Sequence, residues 1–172
     1  MINYYKTIDG KMKALEDIES GCWINVIDPT SEEIVTLCEK YGFEKDFIMA
    51  ALDEEETSHV DNEDSQTFII SDVPYVQNEG ENIYYSTIPM GIIVTPEYIL
   101  TISLKETVII KEFIEGTVKN ANTVFRTQFV LYLQLKIATK YLLYLKQIDR
   151  LSKYVEKKLH KSMRNKELIQ LL

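Results

Sequence analysis

The densest group of potential metal ligands is an acidic segment between residues 53 and 64. Carboxylate oxygens are the ligands that hard divalent cations prefer, but Mg²⁺ takes one or two carboxylates and keeps most of its water. Because consecutive residues cannot all turn their carboxylates towards one ion, we favour a solvated acidic surface, with a cation site as the alternative. The segment consists of the consecutive acids Asp53, Glu54, Glu55 and Glu56, followed by His59, Asp61, Glu63 and Asp64.

No other residues have the types and spacing of a catalytic or metal centre. The histidines His59 and His160 are far apart, and the cysteines Cys22 and Cys38 have no zinc-type spacing. Cys38 falls on the apolar side of a predicted helix, which favours a small buried side chain over a reactive thiol. The chain lacks a Gly-x-Ser-x-Gly nucleophile motif and a glycine-rich phosphate loop. We therefore do not expect an enzyme.

The charges are distributed unevenly along the chain. Residues 1–125 contain 8 Lys or Arg and 24 Asp or Glu, a net charge of −16, whereas residues 126–172 contain 11 and 3, a net charge of +8. The acidic part would repel phosphate groups, so we do not expect a nucleic-acid partner there. The basic part is open to an anionic partner, such as the acidic part of a neighbouring copy.

No segment of the sequence predicts insertion into a membrane. The first residues, Met1 to Lys6, lack the basic start and the apolar run of a signal peptide. The most apolar stretch, Phe129 to Leu135, is far shorter than the roughly eighteen residues that a spanning helix needs. We expect the polypeptide, as given, to be water-soluble.

Apolar periodicity and turn residues predict a mixture of strands and helices before the long final helix. Asp9-Gly10 is a turn signal, and the capping-box spacing of Thr30 and Glu33 predicts a helix that ends near Gly42. Two further helices are predicted at Glu44–Leu52 and Thr107–Gly116. The predicted strands are Ile2–Thr7, Lys11–Leu15, Cys22–Ile27, Thr67–Val73, Asn82–Ser86 interrupted before Pro89–Val94, and Tyr98–Leu104.

The last part of the chain predicts one long helix. Residues 125–163 contain no Pro or Gly, and such a helix would be about 57 Å long at 1.5 Å per residue. That length exceeds the width of the preceding domain, so the helix must project or pair with another helix. We predict a break at Arg164-Asn165 and a paired second helix from Lys166. Apolar residues recur at the steps of a heptad seam: Tyr141, Tyr144, Ile148, Leu151 and Val155.

The change of pattern predicts two domains. The first is an acidic α/β head over residues 1–124, and the second is a basic helical segment over residues 125–172. An exposed apolar run is unusual at the natural end of a protein, so we expect the chain to be part of a longer one. That run consists of Leu168, Ile169, Leu171 and Leu172.

The order and spacing of several segments resemble the CorA family of metal-ion transporters over nearly the whole chain. The resemblance implies a mixed β-sheet flanked by helices (an αβα sandwich), followed by a long C-terminal helix that pairs with a second, truncated helix. The segments are Trp23–Val26, Asp28–Thr30, Ala50–Asp53, Val60–Asp64 before Phe68–Ile70, the hairpin of Ile92–Val94 and Ile99–Ile102, and the helix Phe129–Leu145.

The same resemblance implies a function. Family members are homopentamers that pass Mg²⁺, and in some cases Co²⁺ or Ni²⁺, through a central pore. The Gly-Met-Asn pore motif and both membrane helices are absent from residues 1–172. We therefore expect a cytoplasmic regulatory domain that senses divalent cations and gates a pore outside this chain, in a full-length protein of the cell membrane. Alone, the fragment is expected to be a monomer or a dimer.

The acids of the family's regulatory ion site do not align with acids here. Their positions match Met49 and Ala50, neither of which can bind Mg²⁺. The nearest acids are Asp53 and Glu54, one turn further along, and these are the candidate metal ligands. The site is either shifted to them or lost in its usual form, and we favour its loss.

Two other functions are compatible with the sequence. A zinc-exporting member of the same family would have the same segments. A free-standing soluble protein whose long helix binds a partner would explain the heptad seam without a transporter.

Overall fold

A seven-stranded mixed sheet forms the centre of the first of two units, Met1–Ile137 and Ala138–Leu172, in this computed structural model. The structure describes residues 1–80 and 82–170. The strands are β1 (Ile2–Ile8), β2 (Lys11–Leu15), β3 (Trp23–Ile27), β4 (Val60–Glu63), β5 (Gln66–Glu79), β6 (Asn82–Val94) and β7 (Ile99–Ser103). The helices are α1 (Ser31–Glu39), α2 (Lys45–Ala51), α3 (Val108–Ile114) and α4 (Arg126–Gln170).

The sheet has the strand order β2-β1-β3-β7-β6-β5-β4, and only the β3–β7 pair is parallel. The predicted turn joins β1 to β2, where Asp9 and Gly10 have φ values of 51° and 73°. Two consecutive residues with positive φ are what a two-residue hairpin turn requires. The mixed sheet expected from the resemblance is confirmed.

Helix α1 begins with the predicted capping box. The Glu33 N–H donates to Thr30 Oγ1 at 3.3 Å, and the Thr30 N–H donates to Glu33 Oε2 at 2.9 Å. The N-terminal ammonium of Met1 also donates to Glu33 Oε2, at 2.9 Å. Burial opposes ionisation of Glu33, but these hydrogen bonds outweigh it and lower the pKa of the carboxyl. The start of the chain is thereby tied to the start of α1.

Helices α1 and α2 cover one face of the sheet. Leu37 of α1 and Ile48 of α2 are fully buried there. A β-carbon at Gly91 of β6 would collide with Ala51 of α2 and Ile102 of β7, so glycine is needed for this close approach. The strand residues buried beneath the two helices are Ile24, Val26, Phe68, Ile70, Ile93, Leu100 and Ile102.

Helix α3 and the first turns of α4 cover the opposite face. The Trp23 ring lies with its centroid 6.2 Å from Phe113 of α3 and 5.2 Å from Phe129 of α4. The Trp23 Nε1–H donates to Thr101 Oγ1 at 2.8 Å, and the Thr101 hydroxyl donates to Asn25 Oδ1 at 3.0 Å. Helices therefore lie on both faces, as the predicted αβα arrangement requires.

Strands β5 and β6 differ from the prediction. The apolar pattern predicts that the first strand ends at Val73 and that the second is interrupted before Pro89, whereas the structure pairs both strands continuously. Strand β5 reaches Glu79, beyond its predicted end. The short strand β4 was not predicted. All of its residues are exposed, and its sequence lacks the alternation of apolar and polar residues that indicates a strand.

Helix α4 runs without interruption from Arg126 to Gln170. The predicted break at Arg164-Asn165 is therefore wrong, and no second helix begins at Lys166 in the part of the chain that the structure describes. An Asn costs no more than about 0.7 kcal/mol in a helix, which is too little to end one flanked by helix formers. The first turns of α4 belong to the first unit. The division into domains after residue 124 stays a prediction.

Candidate metal site and helix surface

The acidic segment begins directly after α2. Asp53 follows the C-cap residue Leu52, and its Oδ1 accepts a hydrogen bond from the Glu55 N–H at 2.9 Å. The side chains of Asp53 and Glu54 are both exposed. One oxygen of Asp53 therefore shapes the turn, and the two carboxylates otherwise contact solvent.

The remaining acids of the segment are spread over a loop and strand β4. His59 Nδ1 lies 2.7 Å from the Thr57 carbonyl oxygen and 3.7 Å from Glu56 Oε1. The His59 ring packs edge-on against Phe68, with the ring centroids 5.7 Å apart. Among the side chains that the structure describes, no three from His, Cys, Asp or Glu converge as ligands of one ion.

The donor chemistry suits Mg²⁺, but the geometry suits only an ion that keeps most of its water shell. Mg²⁺ in proteins is usually held by one or two carboxylates and several water molecules. Asp53 and Glu54 can supply those carboxylates. Met49, which is 48 % exposed, and Ala50 lie on α2 and offer no side-chain oxygen. The assignment of Asp53 and Glu54 as metal ligands stays a prediction.

Neither cysteine is arranged for chemistry. Burial raises the pKa of the Cys22 thiol and of the Cys38 thiol. A raised pKa keeps a thiol protonated and therefore a poor nucleophile and a poor metal ligand. Cys22 is buried, and Cys38 is partly buried against the same apolar core. Both act as small packing residues.

A cleft of about 580 Å³ is lined by a different part of the first unit. It opens beside the β1–β2 turn and the connection from α3 to α4. Its walls include the apolar side chains of Met12 and Phe113 and the amides of Asn120 and Asn122. The lining contains one lysine, Lys119, and no acid, so the cleft offers no carboxylate to a divalent cation.

The part of α4 in the second unit has a largely exposed apolar surface. In the predicted seam, Tyr141 and Tyr144 are partly buried, whereas Ile148, Leu151 and Val155 are exposed. An apolar stripe on an exposed helix is a surface that another helix can cover. Further exposed apolar residues on the same stretch are Leu142, Leu143, Leu145, Tyr154 and Leu159.

Two polar contacts that the sequence analysis missed hold the first turns of α4. Gln134 Nε2 donates to Ser71 Oγ on β5 at 2.8 Å, and Lys136 Nζ pairs with Glu112 Oε2 on α3 at 3.0 Å. Gln134 interrupts the most apolar stretch of the sequence, and Lys136 follows that stretch directly. That interruption was the available signal, because a polar residue within an apolar run needs a partner when the run is buried.

The observed elements define a class of protein: a mixed α/β domain continued by a long helix. Within the described residues, no helix has both the length and the apolar composition needed to cross a bilayer. A sequence model of the family described as CorA-like Mg²⁺ transporter protein matches residues 19–172. The chain belongs to the CorA family.

Solved structures share this fold. The soluble domain of CorA from Methanocaldococcus jannaschii superposes with a TM-score of 0.75 at 23% identity, over 92% of this chain and 64% of that one. The complete CorA magnesium transporter from the same organism gives a TM-score of 0.72 at 22% identity, over 92% of this chain and 51% of that one. The chain thus spans between half and two thirds of these structures.

A third structure shows the fold in a differently named relative. The ZntB cytoplasmic domain from Vibrio parahaemolyticus gives a TM-score of 0.65 at 13% identity, over 86% of this chain and 62% of that one. No curated protein sequence matches the chain significantly. The family is therefore shown by the sequence model, and the structures show the fold.

Proposed function

We propose that this chain is the cytoplasmic regulatory domain of a CorA-type transporter that passes Mg²⁺, or a related cation such as Co²⁺ or Ni²⁺. The family match over residues 19–172 carries this proposal. The likeness in fold to the soluble domain of CorA supports a position outside the bilayer. The pore then lies outside residues 1–172, in a full-length protein of the cell membrane.

The family match supports a homopentamer as the working form of the full-length protein, and the charge distribution bears on how its copies interact. Residues 1–125 have a net charge of −16, so neighbouring copies repel one another unless cations or basic helices offset that charge. Residues 126–172 supply a net charge of +8. A fall in cation concentration would strengthen the repulsion and favour a more open arrangement, which is a physical basis for gating.

The cation response is proposed to involve Asp53 and Glu54. Their exposed carboxylates follow directly after α2, where they could hold a hydrated Mg²⁺. The test is a thermal melt in 10 mM MgCl₂ and in NaCl of the same ionic strength. An ion with a Kd of about 1 mM would add about 1.4 kcal/mol of stability and raise Tm by roughly 3–6 °C above the NaCl value.

A matched pair of variants separates a site from general screening of charge. The double variant D53N/E54Q should lose the extra stabilisation by MgCl₂. The control E16Q/D17N removes the same charge from other exposed acids of the first unit and should keep it. Equal melting temperatures of the unmodified chain in MgCl₂ and NaCl would contradict the proposed cation sensing. They would indicate that this chain has lost the family's regulatory ion site.

Zinc export is the second candidate function. It is the alternative expected within the same family, and the likeness in fold to the ZntB cytoplasmic domain is compatible with it. Cells that express the full-length protein distinguish the two candidates, because a zinc exporter lowers cell zinc in zinc-rich medium whereas a Mg²⁺ importer restores growth and cell magnesium in magnesium-poor medium. Cell zinc and magnesium can both be measured by elemental analysis of washed cells.

A further inference from the structure

Strands β5 and β6 extend beyond both of their neighbours in the sheet. Strand β4 pairs with β5 only over Gln66–Ile69, and β7 pairs with β6 only over Met90–Val94. Beyond these points, residues 73–79 and 82–89 pair only with each other, and we call them the β5–β6 ribbon. Neither edge of this ribbon is paired with a third strand, and a strand edge that is also exposed invites pairing with another chain.

Two hydrogen bonds show which amides of β5 point towards its free edge. The Ile70 N–H donates to the His59 carbonyl oxygen at 3.0 Å, and the Asp72 N–H donates to Ser58 Oγ at 3.1 Å. Both acceptors lie on the side of β5 away from β6. Because backbone groups alternate along a strand, the next nitrogen on this outer side is that of Pro74, which has no hydrogen.

The same alternation applies to β6. On β5, the backbone groups that bond to β6 belong to the residues between the outward-facing ones. Ser71 is one of these bonded residues, and it is opposite Met90. Gly91 therefore faces β7, where its partner is Ile102. The last residue of β7 in the ladder is Ser103, opposite Met90. The next nitrogen on the β7 side, just past the end of β7, is that of Pro89.

We propose that Pro74 closes the β5 edge of the β5–β6 ribbon to a further strand, above all to the ribbon of a second copy of this chain. Pro89 has the corresponding position on β6 but is buried, so other residues already cover that edge there. Pro74 is half-buried and occupies the first outward-facing position on β5 after its last neighbour ends. An added strand would lose a hydrogen bond there and would meet the proline ring. The chain has four prolines, and Pro74 and Pro89 are the two that lie within described strands.

The placement also explains why prolines are tolerated inside these strands. Pro74 is opposite Thr87, and Pro89 is opposite Asp72, so both are flanked on one side by the paired strand. Neither nitrogen faces that strand, and the ladder between β5 and β6 loses no hydrogen bond. Sheet prolines are expected at edges for this reason.

The test is to restore the missing donor on β5 with a β-branched residue, in P74T. This variant should associate at least about tenfold more tightly than the unmodified chain, measured as mass by light scattering over a concentration series. Amide exchange at the outward-facing Val76 should slow with concentration in P74T. This second readout distinguishes strand addition from association through α4.

The control variant is S86T, which adds a β-branched side chain to the ribbon where the amide already faces β5. It should leave both mass and exchange unchanged. Circular dichroism and Tm establish that P74T and S86T are folded. The proposal is overturned if P74T changes neither mass nor exchange, or if S86T changes them as much.

Discussion

Helix α4 has apolar residues at helical spacing in two regions, one buried and one exposed. Phe129, Leu133 and Ile137 recur every four residues and are 0%, 0% and 5% exposed. Ile148, Leu151 and Val155 recur at three- and four-residue steps and are 39%, 50% and 52% exposed. The first region is covered by the sheet and α3, whereas the second is open.

The difference in burial shows which structural features helical periodicity predicts and which it does not. Apolar spacing predicts that a helix has a face to cover, but the neighbour that covers it comes from elsewhere in the chain or from a partner. In the first region the neighbour is present, because Trp23 and Phe113 pack against Phe129. In the second region the apolar face is a surface available to a further helix.

The largest expected effect comes from truncating one residue in each region. Phe129→Ala should lower the free energy of unfolding by about 3–5 kcal/mol, because it leaves a cavity between three elements. Leu151→Ala should change it by less than about 0.5 kcal/mol, since the side chain is half exposed and Ala favours a helix. Urea unfolding measures both, and similar values for the two variants would break the comparison.

A smaller effect is expected from the buried hydrogen bonds beneath α3 and α4. Thr101→Val removes the acceptor of the Trp23 indole N–H and the donor to Asn25, and it should cost about 1–3 kcal/mol. Ser152→Ala on the exposed part of α4 is the matched change and should cost less than about 0.5 kcal/mol. A cost for Thr101→Val as small as that for Ser152→Ala would show that the buried network contributes nothing.

The sequence predicts the turns and helix ends of the first unit better than the extents of its strands. The capping box at Thr30 and Glu33 and the Asp9-Gly10 turn depend on local chemistry, so both were correct. The extent of β5 through Pro74 could not be read locally, because it depends on which edge of the strand is free.

At the candidate metal site, the sequence likewise predicts the residue types but not their arrangement. The sequence identifies Asp53 and Glu54 as the acids nearest to the family positions. Their separation from the acids of β4 depends on how the loop after α2 returns to the sheet, which composition does not encode. The missed contacts of Gln134 and Lys136 likewise needed the positions of β5 and α3.

An effect that depends on pH is expected at the start of α1. The lowered pKa of Glu33 means that the ionised form is stabilised by folding, so this stability is present above the unfolded pKa of about 4.3 and is lost as the pH falls through the folded value. Glu33→Gln should therefore lower Tm at pH 7 and leave it nearly unchanged at pH 3. An equal loss of Tm at both pH values would contradict the assignment.

The smallest expected effect comes from the ion pair of Asp149 and Lys153 on the exposed part of α4. Their atoms are 2.7 Å apart, but both side chains are mostly in solvent. Asp149→Asn should change the free energy of unfolding by no more than about 0.5 kcal/mol, and 1 M NaCl should abolish the difference. A larger change that persists in high salt would mean that this surface is covered in solution.

Amide hydrogen exchange along α4 tests most directly whether its two regions differ as described. At micromolar protein concentration, amides of residues 130–137 should exchange only with unfolding of the first unit, at least roughly 100-fold more slowly than those of residues 148–159. Equal protection along the whole helix, already at the lowest concentration, would contradict an uncovered apolar surface on α4.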